Sequence, residues 1–245
     1  SDLTEVDGSI NITRSAGGAV SFPDLTTVRG SITFSTNYNG AAGMMSLSMP
    51  ALTHNDIGAI DITENDVMTS VTLGSTFSTG TADDITIDNN DVLAGIVLNA
   101  TTAGGIVTIT NNDGAGSTIS GSLGEITEGL NIQNSSGLTS ISFPSLTKIG
   151  GDPDAAPAGN LTISGNGAGL ASISMPFLES IDGSLLMVNA NTITLPEVSP
   201  TLNFDALERV DVSIDVSYAA GGAVTFPALT TVETNITFDF NDLTS

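Results

Sequence analysis

The residue types that could do chemistry are few, and each sits in a pattern that narrows its use. His54 is the one histidine, flanked by Thr53 and Asn55 with Asp56 close by. A His beside a carboxylate can do acid–base work. No Gly-x-Ser-x-Gly nucleophile string surrounds it, however, and there is no second His to share a metal. His54 therefore reads as a surface turn residue. The 27 Asp+Glu side chains would suit glycoside hydrolysis or polysaccharide lyase chemistry in pairs. A lyase acting on an acidic sugar needs basic partners, and the chain offers only Arg14, Arg29, Lys148 and Arg209. With no Cys, thiol catalysis, disulfides and Cys-type zinc sites are excluded, although the redox compartment stays open. The expectation is a non-enzymatic protein with no assigned catalytic, cofactor-binding or metal residue.

Two other polar patterns recur along the chain. Asparagines follow short apolar segments at Asn37, Asn65, Asn90, Asn112, Asn134, Asn166, Asn189 and Asn241. Asp66, Asp91, Asp113 and Asp242 stand beside four of them, which raises calcium as a cofactor. No complete Asp-x-Asp-x-Asp-Gly loop with a distal Glu is present. The expected role is an amide ladder that satisfies turn backbone groups between stacked coils. The second pattern is hydroxyls at alternate positions, in Thr33, Thr86, Thr108, Thr162, Ser213 and Thr237 and in Ser21, Ser48, Thr72, Ser142, Ser174, Thr194 and Thr225. A flat array of this kind could meet ice or a crystalline polysaccharide. The simpler reading is that Thr and Ser suit exposed strands. Asp61, Asp88, Asp215 and Asp239 would interrupt one of the two faces.

The elements that position these residues follow from a repeat. Val20-Ser-Phe22-Pro23-Asp-Leu25-Thr-Thr-Val28 returns as Ile141-Ser-Phe143-Pro144-Ser-Leu146-Thr-Lys-Ile149, as Ile173-Ser-Met175-Pro176-Phe-Leu178-Glu-Ser-Ile181 and as Val224-Thr-Phe226-Pro227-Ala-Leu229-Thr-Thr-Val232. A copy without Pro is Leu202-Asn-Phe204-Asp-Ala-Leu207-Glu-Arg-Val210. A second apolar-polar-apolar segment opens at Ile10, Ile32, Ile60, Ile85, Val107, Leu130, Leu161, Leu185, Val212 and Ile236, at spacings of 22 to 31 residues. Alternation of period two predicts short strands with one face inward. Strands this short must stack coil on coil, about 4.8 Å apart, to bury a core. The Pro after Phe22, Met49, Phe143, Met175 and Phe226 should end the first strand. A short helical turn around 39–45, a protruding loop at 152–159 and two strands competing for one coil near 193–204 are the expected irregularities.

Composition sets the partners. With 4 Lys+Arg against 27 Asp+Glu, the net charge is -23 and the pI about 4.1. Phosphate backbones and anionic lipid are excluded as partners. No run of eighteen apolar residues exists, so no membrane insertion is expected. At 40% hydrophobic residues the chain folds rather than staying disordered. Five Asn-x-Ser/Thr acceptors (Asn11, Asn99, Asn134, Asn160 and Asn235) match what this composition gives by chance.

The string Leu-x-x-Ile-x-Phe-Pro-x-Leu-x-x-Ile-x-Gly-x-Leu-x-Ile-x-x-Asn, best seen in 138–189 and 224–241, resembles the repeat of receptor L-domain and leucine-rich-repeat-like surface proteins. The resemblance covers most of the chain loosely and implies an extracellular, elongated protein serving adhesion, wall integrity or recognition. It names no ligand. The acidity favours a halophilic or marine prokaryotic setting.

The ends carry a further expectation. Leu3-Thr-Glu-Val6-Asp-Gly8-Ser-Ile10 matches Leu178-Glu-Ser-Ile181-Asp-Gly183-Ser-Leu185, and Asn241-Asp-Leu243-Thr-Ser245 matches a lead-in segment. Both ends read as mid-coil, in a processed piece of a longer precursor or in a subunit that stacks head to tail. The sequence thus predicts one all-β domain over 1–245, a right-handed parallel β-solenoid of nine to ten leucine-rich-repeat-like coils. The expected role is a subunit of a cell-surface layer, sheath or filament that associates with itself end to end or laterally. The alternatives are a module recognising a surface glycan or protein through a Ser/Thr face and, more remotely, an ice-binding protein.

Overall fold

The computed structural model describes residues 3–15, 17–37, 43–55, 58–79, 83–151, 159–167, 169–188, 201–218 and 225–240. Among these residues the regular elements are all strands, and they pair in parallel. The strands form a sixteen-stranded and a ten-stranded sheet. Strands neighbouring in space are one repeat apart in sequence, which makes the architecture a parallel β-solenoid of about eight turns.

Each turn carries three strand segments where the sequence predicts two. A first ladder stacks Gly18–Ser21, Met44–Met49, the opening of Ser70–Thr79 and of Gly95–Ala103, Ser117–Ser120, Leu138–Ser142, Ser172–Ser174 and Thr201–Asn203. A corner ladder of two-residue strands follows, including Glu5–Val6, Thr27–Val28, Glu125–Ile126, Lys148–Ile149, Ser180–Ile181 and Arg209–Val210. A second ladder of ten strands runs from Ile10–Thr13 to Asn235–Phe240.

The Phe-Pro-x-Leu string proves to be a turn between the first and corner ladders. The amides of Leu25, Leu52, Leu146, Leu178 and Leu229 donate to the carbonyls of Phe22, Met49, Phe143, Met175 and Phe226, at 3.1 to 3.4 Å. Each Pro thus holds the second turn position, where its fixed φ suits a β-turn. Phe143, Met175, Leu146 and Leu178 are fully buried. In two of the coils without Pro the strand is not cut, and Ser70–Thr79 and Gly95–Ala103 run from the first ladder into the corner ladder.

The core is one apolar column per inward position. Ile32, Ile60, Ile85, Val107, Leu130, Leu161, Leu185 and Ile214 lie one above another and are all completely buried. One expected position is corrected here. The strand partner of Leu185 is Ile214, not Val212. Val212 is 37% exposed, whereas Ile214 and Val216 alternate into the core, so burial sets the register. Of the expected irregularities, 44–49 is strand and Thr201–Asn203 occupies the first ladder. Residues 38–42, 152–158 and 189–200 lie outside the described residues.

The corner after the second ladder is built on left-handed residues. Arg14, Thr36, Glu64, Asn89, Asn111, Asn134 and Gly165 each have φ between 53° and 66° and follow stacked strand ends. Their amides, from Thr36 onward, donate to the last strand carbonyl of the next coil. Asn and Gly tolerate this conformation, whereas a β-branched Thr is strained by about 1–2 kcal/mol. Thr36→Asn is therefore expected to raise stability by about 1 kcal/mol, read as a shift of the urea midpoint at constant slope.

Candidate functional site

The predicted Asn ladder is present, with one residue exchanged. Asn37, Asn65, Asn90 and Asn112 are buried one above another. Each of the first three donates from Nδ2 to Oδ1 of the next at 2.9 Å. The same Oδ1 accepts the backbone N–H of the preceding Asn at 3.1 to 3.3 Å. Nδ2 also reaches a strand carbonyl of the coil behind, Ile12, Phe34 or Ile62, at 3.0 Å. The next member is Ser135, not Asn134. The Ser135 hydroxyl accepts the Asn112 amide at 3.2 Å, and its own N–H donates to Asn166 Oδ1 at 3.0 Å. Asn134 sits one residue earlier, at the left-handed position with φ 53°. Spacing alone misplaced it, because two adjacent positions in this corner both favour Asn for different reasons. Asn189 and Asn241 lie outside the described residues.

Of the adjacent acids, Asp113 accepts the Ser136 amide of the next coil at 2.7 Å and so ties two coils together. Asp242 lies outside the described residues. Among the described residues no three His, Asp or Glu side chains group around a common point. His54 belongs to the corner ladder, between Thr27 and Ser78 in register, and Asp56 lies outside the described residues.

Three of the four basic residues are tied between coils near the corner ladder. Arg29 pairs with Glu5 and Asp7 of the coil before. Arg209 and Lys148 converge on the buried Asp182, at 2.8 and 3.1 Å, and Arg209 also meets Asp211 at 3.0 Å. Asp182 is only 2% exposed at its side chain and needs both cations, because a lone buried carboxylate is costly. These cations are engaged by carboxylates of the same chain.

The two outer faces differ sharply. On the second ladder, Asn11, Thr33, Asp61, Thr86, Thr108, Asn131, Thr162, Leu186, Asp215 and Thr237 form one column. Asp215 takes the place expected for Ser213. Beside it runs a column containing Asp88 and Asp239. Asp88 holds the hydroxyl of Thr110 at 2.5 Å and the amide of Asn111 at 2.8 Å. Burial, and then the charge of Asp84, push the Asp61 carboxyl above its ordinary value of 3.8. A raised folded-state pKa means the ionised form costs stability. That cost is complete above the raised pKa and disappears below 3.8. Asp61→Asn should accordingly raise the thermal midpoint at pH 7, and the gain should vanish in acid as pH falls below the unfolded pKa.

Among the described residues, the first ladder carries no charge. One outward column is Ser21, Ser48, Thr72, Val97, Ser120, Ser142, Ser174 and Asn203. The other is Ala19, Ser46, Ser70, Gly95, Thr118, Ser140 and Ser172. Eleven of these fifteen carry a hydroxyl. Between the columns Leu47, Val71, Ile96, Ile119, Ile141 and Ile173 point into the core. Of the residues expected on this face, Thr194 lies outside the described residues and Thr225 lies outside any strand. The second column and Ser120 were missed, because column partners are a whole repeat apart and only the register aligns them.

The hydroxyls on this face are also unengaged. Thr26, Thr53, Thr69, Thr139, Thr147, Thr230 and Thr234 elsewhere bond backbone carbonyls of neighbouring coils. Among the described residues, no hydroxyl of the two first-ladder columns bonds another protein group.

Comparison with known proteins returned no matching family model, no matching curated protein and no matching solved structure.

Proposed function

We propose that this chain is an extracellular, non-enzymatic surface protein whose solenoid serves adhesion by presenting one flat face to a solid or cell surface. In this reading it is a right-handed, leucine-rich-repeat-like solenoid of nine to ten coils, placed at the cell surface as its repeat string suggests. The observation that carries the reading is the first-ladder face. A protein of net charge -23 keeps every charge off fifteen adjacent outward positions. Charges are cheap on any solvated strand face, so a region free of them fits a surface built for contact. The test is sedimentation of the labelled protein with neutral solids and with ice, alongside a glycan array. Binding to any of these, lost on Ser142→Lys, supports adhesion. Binding to none contradicts it.

A structural assembly is the second reading, favoured by the ladders themselves. The described coils pair with one another through parallel strands, and the same kind of contact between copies would build a layer, sheath or filament. Screening of the negative charge by salt or divalent cations would promote it. Negative-stain images at high salt should show rods longer than one copy, and isolated short rods at every salt concentration would refute this reading.

A further inference from the structure

Taking the adhesive reading as its basis, we infer that the first-ladder face binds ice. Parallel strands lie about 4.8 Å apart, and side chains two residues apart on one face of a strand about 6.7 Å apart. Two columns in strict register therefore make a rectangular grid. Thr118, Ser120, Ser140, Ser142, Ser172 and Ser174 fill six adjacent grid points with hydroxyls. The inward residue between each pair is buried and packed, so the grid is held rigid from below.

Each of these hydroxyls can donate one hydrogen bond and accept two, and none has a protein partner. Water must satisfy them. Water bound to a rigid, periodic set of such groups takes on their period. A nearby ion would pull that water into its own shell, and the face contains none. The second ladder lacks this property, since Asp61, Asp88, Asp215 and Asp239 interrupt it and Asp88 already holds Thr110.

Other occupants fit less well. Eight strands give a face about 34 Å by 13 Å, near 450 Å². A specific protein interface needs about 800 Å² from each partner, and a second copy would also bring a net charge of -23. A crystalline polysaccharide presents sugar rings, which are usually met by aromatic platforms. None of the fifteen outward positions is aromatic. The remaining neutral, periodic, hydrogen-bonding surface is ice itself.

The experiment freezes a solution of fluorescently labelled protein slowly around a seeded ice crystal and measures the protein in the ice against the liquid. The intact chain should concentrate in the ice. Ser142→Lys and Ser140→Lys should lower that partition about tenfold or more, with unchanged circular dichroism. Thr108→Lys on the second ladder should leave it unchanged. Val97→Thr, which fills a gap in the grid, should raise it. Exclusion of the intact chain from ice overturns the inference, as does partition unaffected by Ser142→Lys. If ice excludes the chain while crystalline cellulose or chitin retains it, the ice assignment falls and the adhesive reading survives. If every solid and the glycan array fail together, both fall.

Discussion

Asn90→Leu is expected to destabilise the protein by about 4 kcal/mol, because it orphans several buried groups at once. Its Oδ1 accepts both the N–H and the Nδ2 of Asn65, and its Nδ2 donates to Asn112 Oδ1 and to the carbonyl of Ile62. Each buried polar group left without a partner costs about 1–3 kcal/mol, and added leucine burial offsets part of that. The damage should spread in a particular way. A solenoid holds together through contacts between adjacent coils, so weakening one interface uncouples the two halves. Urea unfolding of the variant should broaden or split into two transitions, where the parent gives one. The complementary change is Ser135→Asn. A full amide at that position would resume the ladder between Asn112 and Asn166, and a gain of about 1 kcal/mol is expected. A loss on that substitution would show that the corner is too tight for the amide.

Gly121→Ala should cost about as much, through sterics rather than hydrogen bonds. Gly121 has φ +148°, a region that residues with a Cβ rarely adopt. A Cβ there would run into the carbonyl group of Leu98, which is backbone and cannot swing aside. Gly121 also ends a first-ladder strand, where its N–H donates to Ser142 at 3.2 Å, so retreat would break the ladder. A loss of about 3–5 kcal/mol follows. Gly95→Ala is the control. Nothing lies within 4 Å of its added Cβ, and its φ is ordinary. A neutral Gly95 variant beside a destabilised Gly121 variant, compared by thermal unfolding, would isolate the close approach of two coils as the cause.

Much of this fold can be read from residues alone, for a physical reason. Period-two alternation in Ile60-Asp-Ile62 or Ile141-Ser-Phe143 requires one buried face. A repeat near 25 residues then forces those faces to stack. The corner ladder escaped notice because a two-residue strand such as Thr27–Val28 holds a single inward side chain, and one residue has no period. Val212 and Ile214 could not be separated by pattern, since both begin an apolar-polar-apolar triplet and only packing chooses between them. The Asn corner was legible as a composition, whereas the exchange of Asn134 for Ser135 was not. The candidate binding face was half legible. Its hydroxyls are visible in the sequence, but its freedom from charge emerges only when residues 22 to 32 apart are set side by side.

If the parallel coils stack in one column in register, distances along that column grow in fixed steps. The chain has no Cys, so paired spin labels can be placed at will. Thr33, Asn131, Leu186 and Thr237 share one outward column of the second ladder. Labels at Thr33 and each of the other three, measured by pulsed electron resonance, should give separations that grow linearly to about 19, 29 and 38 Å. Separations that level off, or that fall out of sequence order, would contradict the stacked solenoid and the faces derived from it.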